Sequence, residues 1–129
     1  MMTTFREIKK VTVFVVDDEP VIRETILEIL QEEGFEALGM SNASQALNWA
    51  QRLNPDIVLT DVVMPGVNGI ELAMQISAAL PACRVILFSG QSASADLLSK
   101  ARAQGHDFEI LPKPINPETL ISKLRAAGE

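Results

Sequence analysis

Five side chains with charged or nucleophilic heads follow short apolar runs in this sequence of 129 residues. Asp17 and Asp18 follow Val13-Phe14-Val15-Val16, and Asp61 follows Ile57-Val58-Leu59-Thr60. Ser89 follows Val85-Ile86-Leu87-Phe88, and Lys113 follows Ile110-Leu111-Pro112. Three carboxylates, a hydroxyl and an ammonium, with no His or Cys beside them, make an all-oxygen donor set with one built-in cation. Gathered in one place, the carboxylates would repel, and one would be driven toward protonation unless positive charge intervened. Lys113 is one source of that charge. A hard divalent ion such as Mg2+, which takes one or two carboxylates and keeps several waters, is the other. Each residue also has a plainer explanation, since Asp is a common turn former and hydroxyls often end strands. The fold has to decide.

The apolar runs are short and rich in β-branched residues, the pattern of buried strands in a parallel sheet. Val11-Thr12-Val13-Phe14-Val15-Val16, the weaker Phe35-Glu36-Ala37-Leu38-Gly39, Asp56 to Thr60, Arg84-Val85-Ile86-Leu87-Phe88 and Phe108-Glu109-Ile110-Leu111 predict five strands. Helical spacing fills the intervals. Pro20 stands at a first helical position, Ile22, Ile26, Ile29 and Leu30 repeat behind it, and Gly34 ends the run. Ala43, Ala46, Leu47 and Ala50 line a second helix capped by Asn42 or Ser44, with Trp49 near the border of that face as a packing residue. Asn68, with Glu71 three residues on, opens a third helix that buries Leu72, Ala73 and Ile76. The polar Gln91-Ser92-Ala93-Ser94 segment leads to a fourth with Leu97, Leu98 and Ala101. Asn116-Pro117 opens a fifth with Leu120, Ile121 and Leu124.

Five such alternations mean βα units and a parallel sheet with helices on both faces. Pro112 lacks an N–H, which puts the last strand at an edge. The predicted fold is α/β: a flavodoxin-like (βα)5 three-layer sandwich with the five-stranded parallel sheet in order 2-1-3-4-5. In that order the first and third strands are neighbours, so Asp17, Asp18 and Asp61 converge at the carboxyl edge, where ligands bind in such sheets. Ser89 and Lys113 occupy the next two strand ends. Four strand ends bearing chemistry at one edge outweigh the turn-former explanation.

Composition narrows the function classes. Hydrophobic residues at 47% and charged residues at 22% are the proportions of a soluble globular domain. No apolar run approaches a membrane span, and Met1 to Glu7 lacks the basic and apolar regions of a signal peptide. A single cysteine, Cys83, suits a reducing cytoplasm. Eleven basic against 17 acidic side chains give a net charge of −6, which argues against direct binding to a nucleic-acid backbone. No linker opens toward an output domain, so any downstream target is expected to be a separate molecule.

Over residues 11 to 127 the chain resembles a receiver domain of a two-component response regulator, of the stand-alone, chemotaxis-regulator type. The matching pieces are Val15-Val16-Asp17-Asp18-Glu19-Pro20, Leu59-Thr60-Asp61 with Met64-Pro65-Gly66 and Gly69, Phe88-Ser89-Gly90, and Lys113-Pro114. The resemblance divides the chain into an N-terminal arm, 1–10, and a receiver domain, 11–129. It implies transfer of a phosphoryl group to Asp61 from a phosphohistidine on a sensor histidine kinase or histidine phosphotransfer protein. Asp18 and Asp61 would then ligate Mg2+ directly, joined by the backbone carbonyl of Val63, with Asp17 acting through water. Lys113 and the Ser89 hydroxyl would each take a phosphoryl oxygen, and a cis Lys113-Pro114 bond is implied. The output would be a switched surface of helix four, strand five and helix five, read by an unidentified protein. The protein would be a cytoplasmic monomer or a phosphorylation-dependent dimer, catalysing only its own phosphorylation and dephosphorylation.

Two departures from the family pattern stand out. The aromatic often found three residues before the lysine is Ile110 here, with Phe108 nearby as a possible substitute. Val63 and Gln91 occupy positions that in this family govern water access to the phosphorylated aspartate, and an apolar Val63 should slow hydrolysis. His106, the only histidine, reads as a surface-loop residue. Two alternatives remain open: a phosphohydrolase with Asp61 as nucleophile, and a degenerate receiver used only for interaction. The first usually needs a further acid where Val63 stands. A flavin- or nucleotide-binding protein of this topology would want a Gly-rich phosphate cradle where Asp17-Asp18-Glu19 would repel a phosphate.

Overall fold

The computed structural model describes residues 10–90 and 94–128; most of the expected N-terminal arm, together with Gln91, lies outside the described residues. The chain runs β1 (Thr12–Val16), α1 (Pro20–Glu32), β2 (Glu36–Met40), α2 (Ala43–Leu53), β3 (Ile57–Asp61), α3 (Gly69–Ala79), β4 (Arg84–Ser89), α4 (Ser94–Ala103), β5 (Glu109–Pro112) and α5 (Pro117–Gly128). All strand pairs are parallel, in the order β2-β1-β3-β4-β5. The expected flavodoxin-like order is therefore present, and Pro112 ends an edge strand, where its missing donor costs no ladder bond.

Strand ends differ from the sequence reading by one residue. β3 includes Asp61 and β4 includes Ser89, while β2 and β5 each begin one residue later. The ladder explains this: Asp61 stands opposite Phe88, and Ser89 opposite Pro112. Backbone pairing continues past the point where side chains turn polar, and hydropathy registers only the side chains.

Period-two alternation sends successive strand residues to opposite faces. Val13, Val15, Ile57, Leu59, Ile86 and Phe88 pack with Ile26 and Leu30 of α1 and Leu120 and Leu124 of α5. Phe14, Val16, Val58 and Leu87 pack with α2 and α3 on the other side. The caps are polar side chains on orphan N–H groups. Asn42 accepts from Gln45 N–H at 2.9 Å, which settles the cap of α2. Asn68 accepts from Ile70 and Glu71, and Asn116 from Thr119. One packing expectation is corrected. Trp49 is 46% exposed, with the Arg52 guanidinium 5.7 Å from its ring centroid. Ala43, Ala46 and Ala50 fill the stripe of α2 that meets the sheet, so the indole falls outside it.

At the opposite end of β4 and β5 from the acidic residues, Glu109 lies 2.8 Å from Lys123 Nζ and 3.3 Å from Arg84 Nη2. The Lys123 hydrogen bond, helped by the charges of Lys123 and Arg84, lowers the Glu109 carboxyl below its ordinary value. A lowered folded-state pKa contributes stability above the unfolded value and loses it as pH falls through the folded one. Glu109→Gln should therefore cost under about 1 kcal/mol at pH 7, as partly exposed pairs do. The difference should shrink as pH falls below the ordinary glutamate range and through the lowered carboxyl value; urea unfolding of both proteins as pH is lowered checks it.

Candidate functional site

The carboxyl edge of the sheet brings the side chains of Asp17, Asp18, Asp61 and Lys113 into one neighbourhood, with Ser89 at the adjoining strand end. β1 ends at Val16, but the Asp17 N–H still donates to the Met40 carbonyl at 3.1 Å, which keeps Asp17 aligned with the sheet. The Asp17 side chain is fully buried. Its Oδ1 accepts from the Glu19 N–H at 2.9 Å, and Arg23 Nη1 donates to its backbone carbonyl at 2.8 Å. Asp18 is exposed, and Asp61 is 8% exposed. Oxygens of the three carboxylates lie within 4.8 Å of one another. Lys113 reaches in from beyond β5, its Nζ 3.3 Å from Asp61 Oδ2 and 3.9 Å from Asp17 Oδ2. Ser89 ends β4, and its carbonyl accepts the Lys113 N–H at 3.2 Å. The Lys113–Pro114 peptide bond is cis.

Burial raises the carboxyls of both Asp17 and Asp61 above their ordinary value. For Asp17 the neighbouring charges of Asp61 and Asp18 push the same way, against the Glu19 N–H and Lys113. For Asp61, Lys113 and the backbone N–H groups of Val62 and Val63 oppose burial without cancelling it. One ammonium does not neutralise three acids. Moreover, Asp17 Oδ2 is buried without a hydrogen-bond partner. A buried carboxylate oxygen in that state is costly. A hard cation bridging the cluster would satisfy it, and an all-carboxylate set suits Mg2+ better than Zn2+. The residues present fit the ion.

Backbone contacts fix Asp61 more firmly than the sequence indicated. The Thr60 hydroxyl donates to the Asp61 carbonyl at 3.0 Å, and the Gly69 N–H donates to the Val62 carbonyl at 2.8 Å. A Cβ at Gly69 would overlap the Asp61 carbonyl oxygen. Glycine is thus what lets α3 begin against the end of β3. Sequence reasoning had Gly69 only as part of a resemblance. Arg23 was missed altogether; its one signal was that it is the only basic residue of α1. The aromatic-switch candidates Phe108 and Ile110 are both half-buried beside the α2–α3 core, and His106 stacks on Phe108 at 5.8 Å between centroids. Val63 is 43% exposed at the rim of the pocket.

Two outcomes follow from this geometry. Without divalent ions, Asp17→Asn should melt about 3–5 °C higher than the parent, roughly 1 kcal/mol of relieved charge burial for a domain of this size. Millimolar Mg2+ should then stabilise the parent more than the variant; calorimetry with chelator and with Mg2+ checks both. Gly69→Ala should cost about 1–3 kcal/mol, since nothing but backbone can yield, as read from urea unfolding.

Known proteins share this fold. Residues 13–125 match the model of the response regulator receiver domain. The chain is 34% identical over 116 residues to the probable transcriptional regulatory protein TcrX of Mycobacterium tuberculosis, covering 90% of this chain and 49% of that one. It is 35% identical over 116 residues to the DNA-binding transcriptional regulator NtrC of Azospirillum brasilense, covering 90% and 24%. It thus spans half or less of the length of these relatives. Among solved structures, a response regulator receiver domain protein from Clostridium thermocellum superposes with a TM-score of 0.82 at 28% identity, covering 92% of this chain and 94% of that one. The chemotaxis response regulator CheY4 of Vibrio cholerae gives 0.79 at 26%, covering 92% and 99%. With the family model matched from the first strand to the last helix, the chain belongs to the response regulator receiver domain family.

Proposed function

We propose that this domain accepts a phosphoryl group on Asp61 from the phosphohistidine of a sensor histidine kinase or histidine phosphotransfer protein. One observation carries the reading: a nearly buried aspartate at the carboxyl edge of the sheet, 3.3 Å from a lysine ammonium and clustered with two further acids. In the step, an Asp61 carboxylate oxygen forms a bond to phosphorus as the P–N bond breaks. The electron pair of that bond stays on the imidazole nitrogen of the donor. Lys113 pairs with a phosphoryl oxygen, and the Ser89 hydroxyl donates to another. Asp18, Asp61 and the Val63 carbonyl, with Asp17 through water, would hold Mg2+, which when bound supplies positive charge for the phosphoryl oxygens. Positioning and electrostatic stabilisation account for most of the catalysis in such transfers.

The domain is then no enzyme toward other molecules, promoting only its own phosphorylation and dephosphorylation. It works in the cytoplasm, alone or as a phosphorylation-dependent dimer. Its output is a changed surface of α4, β5 and α5, presented to a protein rather than to nucleic acid; the net charge of −6 supports this. The relatives named as transcriptional regulators are longer chains, and their DNA binding is not carried over to this domain. Val63, apolar and exposed where a hydrolase of this type would place an acid, weighs against the phosphohydrolase alternative.

Incubation with Mg2+ and acetyl phosphate should give one acid-stable, base-labile adduct on the protein. It should be lost in Asp61→Asn and with chelator; no adduct from any donor or kinase would sink the proposal. Val63→Asn should shorten the lifetime of the adduct by about three- to tenfold, roughly one kcal/mol of barrier, measured by timing phosphate release after the donor is removed.

A further inference from the structure

We propose that Phe88 is a positioning residue for Lys113: its ring face holds the ammonium at Asp61, while Gly90 makes room for the lysine stem. The inference rests on the reading that Lys113 serves phosphoryl transfer. Phe88 lies in β4 with its side chain on the α1–α5 face, and Leu111 stands opposite it in β5. Lys113 is two residues beyond Leu111, and strand alternation returns it to the same face. Its Nζ sits 5.0 Å from the Phe88 ring centroid, inside the range where the ring quadrupole attracts a cation. The ring is fully buried and the lysine side chain is 24% exposed, so the contact forms largely out of water.

Gly90 meets the same lysine lower down. A Cβ there would lie 2.7 Å from Lys113 Cβ, closer than real side chains come. Between the two, the Ser89 carbonyl accepts the Lys113 N–H at 3.2 Å. Three successive residues of one strand end thus hold the head, the backbone and the stem of Lys113. Ion pairing alone would not do this, because an ammonium is a point charge on a flexible stem and aims poorly. A neutral ring adds attraction without competing, as an acid would, for the N–H groups that bind Asp61 and an incoming phosphoryl oxygen.

The test uses the full chain with fluorine added stepwise to the Phe88 ring, which weakens the quadrupole at nearly constant shape, alongside Phe88→Leu. Two signals are read: the Lys113 ε-methylene resonances, and the rate of phosphorylation by acetyl phosphate with Mg2+. The resonances should be shifted upfield by the ring in the parent and return toward ordinary lysine positions in Phe88→Leu. The rate should fall with each fluorine, reaching about three- to tenfold in the trifluoro ring and in Phe88→Leu. In a Lys113→Ala background ring fluorination should change nothing, since the two residues act as one unit. Unshifted methylenes, a full rate with the trifluoro ring, or an equal loss without Lys113 would each overturn the inference. Should the parent accept no phosphoryl group, the functional reading falls, and the resonances alone decide whether Phe88 positions the lysine.

Discussion

Confinement of like charge organises this molecule. Three carboxylates have oxygens within 4.8 Å of one another, those of Asp17 and Asp61 held where water is scarce, with the Lys113 ammonium beside them. Self-repulsion and desolvation both oppose that arrangement, so the remainder of the fold has to hold it together. The parallel sheet does so by delivering each acid from a strand end whose own position is fixed by ladder bonds. Apolar packing above and below, from Val13 and Ile57 on one face and Phe14 and Val58 on the other, keeps the strands in register. The outcome is a pocket whose charge is unbalanced by construction and that could hold a metal ion.

The strands and helices were legible in the sequence because each rests on a short-range pattern, whereas the strand order, and with it the convergence of Asp17, Asp18, Asp61 and Lys113, came from likeness to a known topology. Apolar runs with β-branched residues gave the strands, and Asn68 and Asn116 announced their helices by side chains that bind the next N–H groups. What stayed hidden depends on distances across the fold. Nothing in the sequence placed Arg23 on the carbonyl of Asp17 or the Phe88 ring under the Lys113 ammonium. Trp49 misled for a related reason. Its neighbours Ala46 and Ala50 are small enough to fill the face of α2 by themselves, and hydrophobicity does not report which of two adjacent positions meets the sheet.

The output side of the domain carries less structure that is specific to this chain. Ile110 and Phe108 are both half-buried beside the core formed with α2 and α3. Under the function proposed above, a change arising at Ser89 would pass through packed side chains before it reached α4 and α5. Interiors of this density transmit small displacements with little loss.

Gly69 and Gly90 flank the pocket, and each lies against atoms that no rotamer change can move. At Gly69 the near neighbour is the Asp61 carbonyl, backbone against backbone, with no rotatable bond to absorb a push. At Gly90 the near neighbour is the Lys113 Cβ, which is anchored to the backbone and stays in place whatever rotamer the lysine adopts. Each glycine thus sets the spacing of its wall by the absence of one carbon, on the α3 side against Asp61 and on the β5 side against Lys113.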